Sequence, residues 1–214
     1  MTNFNQRLIT SLFLFIVVFF SLSNNYVLLI TLAIVGWLSF FEIYNLSTKI
    51  FLSKNKIFFI LLISLIYLIF FSIIIFSFLT PEITAYKLIF IYFLLTCIFT
   101  DLGGYCFGKV FKGKKLTKIS PNKTYSGVLG SYFFTIVLYI FFLINFNFET
   151  FYLYLAILIS SMSQLGDLFF SYLKRKAKVK DTGNFLPGHG GILDRIDGII
   201  FAVPFAICLT KILN

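Results

Sequence analysis

Residues 57–79 read IFFILLISLIYLIFFSIIIFSFL, an apolar run without a single charged residue. A helix of this length is long enough to cross the hydrocarbon core of a bilayer, which is roughly 30 Å thick. The whole chain of 214 residues has a similar character, with 59% hydrophobic and only 12% charged residues. Such a composition leaves too few charges to cover the surface of a water-soluble domain. The sequence therefore predicts an all-α, polytopic integral membrane protein.

Outward from this run, further apolar segments of roughly 17–25 residues indicate additional membrane-spanning helices. We predict about seven spans, within a range of six to eight. They cover residues 8–23, 26–44, 57–79, 86–103, 127–146, 150–171 and 194–212.

The basic residues predict the orientation of these spans. With the N-terminus in the cytoplasm, every Lys and Arg except Lys87 and Lys211 falls on the inner side, as the positive-inside rule requires. The net charge of +10 therefore belongs to cytoplasmic loops, and we do not interpret it as nucleic-acid binding. The three cysteines show neither disulfide nor zinc-ligand spacing.

The rarest side chains of the chain collect near its C-terminal end. The only histidine, His189, lies there, together with two of the three arginines and most of the aspartates. Ionisable groups near membrane depth are costly and are usually functional. We therefore place the candidate site at this polar segment, residues 171–197.

Helical spacing extends this candidate site to Asp167. Ser160, Gln164, Asp167 and Ser171 share one face of the sixth predicted span. Asp194 and Asp197 are three residues apart at the start of the seventh, so the loop between the spans can bring three carboxylates together. Oxygen ligands suit Mg²⁺, and one His without nearby Cys does not suit zinc. The alternative is an Asp–Arg salt-bridge network.

A second candidate segment precedes the fifth span. Ser120-Pro121 is expected to start a helical turn, which would place Lys123 and Thr124 at the N-terminus of that span. Free N–H groups at a helix N-terminus favour phosphate. The alternative is an ordinary basic inner loop that contacts anionic lipid.

The residues of both segments resemble a known family. The motif runs Ser171-x2-Lys174-Arg175-x4-Lys180-Asp181-x-Gly183-x2-Leu186-Pro187-Gly188-His189-Gly190-Gly191-x2-Asp194-Arg195-x-Asp197. It resembles the signature of the phosphatidate cytidylyltransferases, also called CDP-diacylglycerol synthases. Asp101 with Tyr105 and Gly108-Lys109, Ile119-Ser-Pro-x-Lys-Thr124, and Gly166-Asp167 resemble further motifs of that family. Two positions depart from its pattern, because Tyr125-Ser126 replaces a frequent Trp-Glu pair and Phe170 replaces a common Glu.

The resemblance implies transfer of the cytidylyl group of CTP to phosphatidate in the inner leaflet, with release of pyrophosphate. It implies Mg²⁺, a possible second cation such as K⁺, a possible homodimer and a bacterial inner membrane with the active site facing the cytoplasm. The chain then divides into N-terminal transmembrane helices (1–85) and a C-terminal catalytic region (86–214) with loops 104–126 and 172–193.

The candidate residues follow from this resemblance and from the residue patterns. His189 lies in a glycine-rich turn, where phosphate contact or loop ordering is favoured over acid–base work. Magnesium ligands are Asp167, Asp194 and Asp197, and these are also candidate catalytic residues with Lys174, Arg175 and His189. Candidate substrate-binding residues are Ser120, Lys123, Thr124, Lys180, Asp181, Gly190, Gly191 and Arg195.

Two alternatives remain open from the sequence. A transporter or channel with an acidic inner vestibule would also concentrate carboxylates at one face, although polar residues are then expected deep in several spans. A cytidylyltransferase acting on a different lipid phosphate is the second alternative, because the apolar spans do not specify an acceptor.

Overall fold

The computed structural model describes residues 3–81, 83–117, 120, 123–188 and 190–213. Within these residues the structure is helical, and extended pairing is limited to two isolated bridges, Lys115–Thr124 and Leu186–Gly190. The helices are α1 (Asn3–Ser23), α2 (Asn25–Ile50), α3 (Lys54–Leu79), α4 (Thr84–Phe111), α5 (Tyr125–Phe146), α6 (Phe151–Lys176), α7 (Leu193–Ile196) and α8 (Ile199–Leu213).

Six of the described helices, α1–α6, are long and apolar enough to cross a membrane, and α8 is a shorter apolar helix. The prediction of an all-α polytopic membrane protein is therefore confirmed. The helices also continue past the predicted spans: α2 ends at Ile50, α4 at Phe111 and α6 at Lys176. The predicted loops 104–126 and 172–193 thus begin as helix, because hydropathy marks only the lipid-facing part of a helix.

The predicted seventh span, 194–212, is not one continuous helix. α7 ends at Ile196 and α8 begins at Ile199. The Asp197 carboxylate accepts a hydrogen bond from the Gly198 N–H at 2.9 Å, which competes with helical pairing. A Cβ on Gly198 would lie 2.3 Å from the Ser163 hydroxyl. The backbone at Gly198 therefore passes close to α6, with the carbonyl oxygen of Ser163 3.3 Å from such a Cβ.

The chain forms two compact units. The first contains Met1–Tyr86 together with Leu173–Ile196, and the second contains Lys87–Tyr172 together with Asp197–Asn214. In the first unit α2 packs against both α1 and α3, and the Asn24 side chain caps α2 by accepting from the Tyr26 N–H at 2.8 Å. The segment 173–196, which carries most of the predicted site, is thus grouped with the N-terminal helices.

Glycines allow close helix packing in the second unit. A Cβ on Gly103 of α4 would lie 2.3 Å from the carbonyl oxygen of Gly130 in α5. Nearby, the Ser131 hydroxyl donates to the carbonyl of Thr100 at 2.7 Å. Small residues at such crossings let two helix backbones approach closely in membrane proteins. This contact fixes α4 against α5 close to the N-terminus of α5.

Candidate active site

In the first unit, Asp194 is the centre of a closed hydrogen-bond network. Its Oδ1 lies 2.7 Å from the Lys174 ammonium, and the two side chains are only 7% and 15% exposed. Its Oδ2 accepts from the N–H of Thr182 at 2.8 Å and from the N–H of Gly191 at 3.0 Å, and the Thr182 hydroxyl oxygen lies 3.0 Å away. Three donors thus hold the Asp194 carboxylate, one on Oδ1 and two on Oδ2.

The pKa of Asp194 follows from these contacts. Partial burial raises the pKa of Asp194, but the hydrogen bonds from Lys174, Thr182 and Gly191 outweigh burial and hold it below its usual value. Hydrogen bonds to the charged form favour ionisation. Asp194 is therefore an anion throughout the neutral pH range.

Glu42, in α2, accepts hydrogen bonds from the segment around Asp194, and it was not among the residues predicted from the sequence. Its side chain is fully buried. Its Oε1 accepts from the N–H of Ile192 at 2.7 Å, and its Oε2 accepts from the N–H of Leu193 at 3.0 Å and from the Thr182 hydroxyl at 2.6 Å. The available signal was an isolated acid inside an apolar span, which is costly unless it is partnered.

The glycine-rich turn of the predicted site is anchored to α1. The carbonyl of Pro187 accepts from the Thr10 hydroxyl at 2.9 Å, and the carbonyl of Gly188 accepts from Arg7 Nε at 3.1 Å. Gly188 and Gly190 have positive φ angles of 74° and 82°, a conformation that glycine adopts without strain. His189 lies outside the described residues.

The remaining predicted residues of this unit lie toward its surface. Lys180 and Asp181 line a cleft of about 630 Å³, together with Thr182 and, on α2, Asn45 and Lys49. Arg175 and Arg195 are exposed. The cleft thus presents amide, hydroxyl and cationic groups next to the Asp194 network.

In the second unit, Asp167 forms an ion pair with Lys123. The Ser171 hydroxyl donates to Asp167 Oδ1 at 3.3 Å, which confirms that these residues share one face of α6. Asp101, on α4, interacts electrostatically with both Asp167 and Lys123. The Lys123 and Asp167 side chains are 25% and 30% exposed, so this pair remains accessible.

Lys123 stands directly before the N-terminus of α5, as predicted. Thr124 is the N-cap of α5, and its hydroxyl oxygen accepts from the Gly127 N–H at 3.1 Å. The N–H of Lys123 donates to the carbonyl of Ser120 at 3.1 Å, which forms a turn. Pro121 lies outside the described residues. Binding of phosphate at this helix terminus stays a prediction.

The two departures from the family pattern have structural explanations. Ser126 accepts a hydrogen bond from the Gly113 N–H at 3.3 Å, and its hydroxyl lies 2.9 Å from the Thr124 hydroxyl. It therefore ties the end of the preceding loop to the start of α5. Phe170 is buried and its ring contacts Phe169 and Phe201, so it belongs to the core between α6 and α8.

The three predicted magnesium ligands fall in both units, with Asp194 in the first and Asp167 and Asp197 in the second. A Cβ on Gly166 would lie 2.3 Å from the Asp197 carbonyl, so the main chain of Asp197 lies beside the residue that precedes Asp167. Among the described residues, no group of three or more His, Cys, Asp or Glu side chains is arranged to hold a metal ion. Magnesium ligation stays a prediction.

The carboxylates nevertheless have the chemistry of a cation site. Asp167 and Asp194 each contact a lysine ammonium, which supplies positive charge where the prediction places a metal. Asp167 accepts only from Lys123 and Ser171 among the described residues, so it has acceptor capacity left. Asp194 would bind a metal through Oδ1 only if Lys174 released that oxygen.

The chain matches a family model over nearly its whole length and individual relatives over a little more than half of it. The family model described as "Cytidylyltransferase family" matches residues 2–213. A phosphatidate cytidylyltransferase of Rickettsia felis is 41% identical over 140 residues, which are 60% of this chain and 60% of that protein. The Bacillus subtilis protein of the same name is 41% identical over 138 residues, covering 62% and 51%. In a Staphylococcus aureus homologue of that name the identity is 42% over 118 residues, covering 53% and 45%. The chain thus spans about half of the length of these relatives.

Proposed function

Because the chain belongs to the cytidylyltransferase family, we propose that it transfers the cytidylyl group of CTP to phosphatidate. The products are CDP-diacylglycerol, which serves phospholipid synthesis, and pyrophosphate. The match to the family model carries this proposal, since residues 2–213 include both polar segments of the candidate site. The names of the relatives support CTP and phosphatidate as the substrates.

In the proposed reaction, a phosphate oxygen of phosphatidate attacks the α-phosphorus of CTP. A new P–O bond forms there, the bond to the bridging oxygen breaks, and pyrophosphate leaves with that oxygen. Both substrates are highly anionic, so alignment and charge compensation are the main tasks of the protein. Lys123, Lys174, Arg175 and Arg195 are the residues we assign to phosphate positioning.

Smaller groups complete the assignment of substrate contacts. Thr124 caps α5, whose N-terminus favours an anion, and Ser120 lies in the turn before it. Lys180 and Asp181 line the cleft of the first unit. Gly190 and Gly191 keep the backbone next to Asp194 free of side chains, so that a phosphate can approach closely.

We assign magnesium ligation to Asp167, Asp194 and Asp197, with a second cation such as K⁺ as part of the proposal. A magnesium ion would neutralise charge on the transferring and leaving phosphates. The ion pairs of Asp167 and Asp194 with lysines support this assignment, because both carboxylates already face positive charge.

We place the protein in a bacterial inner membrane, with the active site facing the cytoplasm and phosphatidate entering from the inner leaflet. The bacterial relatives and the distribution of Lys and Arg support this placement. A homodimer is part of the same proposal.

The test is formation of CDP-diacylglycerol and pyrophosphate by the purified protein in liposomes supplied with CTP, phosphatidate and Mg²⁺. We expect both products in equal amounts. Absence of both would overturn the proposed function. Product formed only with a polyprenyl phosphate would assign a different lipid acceptor. Movement of a solute across the liposome without CTP consumption would indicate the transporter alternative.

A further inference from the structure

Glu42 is a fully buried carboxylate inside a membrane-spanning helix. Burying an acid is costly unless hydrogen bonds compensate for lost hydration, and an apolar residue would fill the same volume at less cost. An acid kept at such a position usually has a functional reason.

Among the residues that the structure describes, all three hydrogen bonds to Glu42 come from one loop that lies about 140 residues further along the chain. The donors are the N–H groups of Ile192 and Leu193 and the hydroxyl of Thr182. The loop is also shaped to fit the carboxylate. A Cβ on Gly183 would lie 2.8 Å from a Glu42 oxygen, and one on Gly191 would lie 2.4 Å from the other.

The contacts of Glu42 continue directly to Asp194. The Thr182 hydroxyl lies 2.6 Å from Glu42 Oε2 and 3.0 Å from Asp194 Oδ2, so it stands between the two carboxylates. The N–H of Leu193 donates to Glu42, and Leu193 directly precedes Asp194 in the chain. Glu42 thus acts on both ends of the loop, at residue 182 and at residues 192–193.

We infer that Glu42 is a positioning residue for the reaction, a role that rests on the proposed function. It holds Thr182 and residues 192–193 in place, and through them it positions Asp194 and its partner Lys174. Glu42 itself does not touch the substrates. Its removal therefore shifts the groups that bind the nucleotide.

Substitutions can separate this role from simple space filling. In Glu42→Gln the side chain keeps its shape, but its NH2 group must face at least one N–H donor of the loop, whichever way the amide is turned. Glu42→Asp keeps both acceptor oxygens and shortens the side chain by one methylene. Glu149→Gln is the matched control, because Glu149 is exposed.

The first experiment measures CDP-diacylglycerol formation at varied CTP concentration. For Glu42→Gln we expect kcat/KM for CTP to fall about 10- to 100-fold, the usual range for partners that orient a site, with a rise in KM. Glu42→Asp recovers part of the loss, and Glu149→Gln matches the wild type. A variant that is merely less stable would lose kcat in proportion to the unfolded fraction and keep its KM.

The second experiment follows hydrogen exchange at the amides of Ile192 and Leu193, which needs no activity. In Glu42→Gln these amides exchange at least about tenfold faster, because their acceptor is lost, while amides in the middle of α5 are unchanged. Thr182→Val, which removes the hydroxyl alone, lowers kcat/KM, and Thr182→Ser retains it. Where Glu42→Gln does not fold, this Thr182 pair decides the question.

The outcomes distinguish the two proposals. Wild-type kcat/KM and KM for Glu42→Gln, or unchanged exchange at residues 192 and 193, would overturn the positioning role. Equal activity of the Val and Ser variants at position 182 would overturn it as well. If the wild type forms no CDP-diacylglycerol, the proposed function fails, and the exchange measurement still decides whether Glu42 fixes the loop.

Discussion

The two Lys–Asp pairs found among the described residues differ in how many hydrogen-bond donors their carboxylates accept from. The Asp194 side chain is only 7% exposed, and its oxygens accept from Lys174 and from the N–H groups of Thr182 and Gly191. Asp167 is partly exposed and accepts from Lys123 and, at a longer distance, from Ser171. A carboxylate held by several donors shapes the chain around it, whereas one with fewer donors has more acceptor capacity left for a ligand. We therefore expect changes at Asp194 to affect both stability and turnover, and changes at Asp167 to affect turnover alone.

The largest expected effect is that of Asp194→Asn. The NH2 group of the amide cannot accept a hydrogen bond, and it must face either Lys174 or the N–H groups of Thr182 and Gly191. At least one hydrogen bond of the network is therefore lost. Breaking a buried ion pair costs about 3–5 kcal/mol, and we expect a loss near the lower end together with at least about a 100-fold fall in turnover. Thermal unfolding in detergent and the CTP assay measure the two effects. A variant with full activity in the presence of Mg²⁺ would contradict the assignment.

Asp167→Asn is expected to lower turnover about 100-fold, as loss of a ligand or its orienting partner does. Its unfolding temperature should stay close to that of the wild type, because partly exposed ion pairs contribute only about 0–1 kcal/mol. The same two measurements apply, with Glu149→Gln as the charge control. A large drop in unfolding temperature would remove the contrast between the two pairs.

Two glycine variants test the same contrast through packing. In Gly191→Ala the new Cβ would lie 2.1 Å from the Thr182 hydroxyl and 2.4 Å from Glu42, and neither atom can move without breaking hydrogen bonds. We expect a loss of about 1–3 kcal/mol, the usual cost of overpacking. In Gly113→Ala the nearest atom is the Ser126 hydroxyl at 2.9 Å, and because its rotation would break only the long Gly113 contact and one contact between neutral hydroxyls, we expect a smaller loss. An equal loss of stability in both variants would contradict the expectation that the chain is packed more tightly at Gly191 than at Gly113.

Acid unfolding provides a further test of Asp194. Because its pKa is lowered in the folded protein, the stability it contributes is complete above its unfolded pKa of about 3.9. That stability is lost as the pH falls through the lower, folded value. Below about pH 4 we expect the unfolding temperature of the wild type to decrease with falling pH. The decrease for Asp194→Asn should be smaller. If the unfolding temperatures of both proteins decrease equally with falling pH, Asp194 is not the group responsible for the loss of stability in acid.

The smallest effect is expected for Ser126→Ala. The variant removes the acceptor of the Gly113 N–H and the neighbour of the Thr124 hydroxyl, each a single neutral hydrogen bond worth about 0.5–1.5 kcal/mol. Because the Gly113 contact is long, we expect the free energy of unfolding to decrease by an amount near the lower end of that range. Turnover should stay within threefold of the wild type. A loss of turnover comparable to that of Asp167→Asn would assign Ser126 to the reaction itself.

The sequence predicted local features well. Apolar runs gave the membrane-spanning helices, because helix length and hydropathy are properties of contiguous residues. The helical face of Asp167 and Ser171 is confirmed by their hydrogen bond, and Thr124 with Lys123 lies at the N-terminus of α5 as expected. Within the polar segment 171–197, Asp194 of α7 is paired with Lys174 of α6.

Long-range contacts were beyond the reach of sequence patterns. Glu42 binds a loop about 140 residues away, and an isolated acid in an apolar run carries no spacing that identifies its partner. The break between α7 and α8 and the close approach of Gly198 to Ser163 are tertiary features that hydropathy does not record. The C-terminal ends of α2, α4 and α6 were missed because a helix can continue after its apolar residues end.

The pairing of Glu42 with residues 182 and 192–193 has a consequence for how the protein is made. During synthesis α2 leaves the ribosome long before the segment that supplies its hydrogen-bond donors. At about 5–20 residues per second, roughly 7–30 s separate Glu42 from Thr182. Throughout that interval the nascent chain carries an acid in a membrane helix without its final partners. The N-terminal unit is therefore completed late, when one of the last segments of the chain arrives.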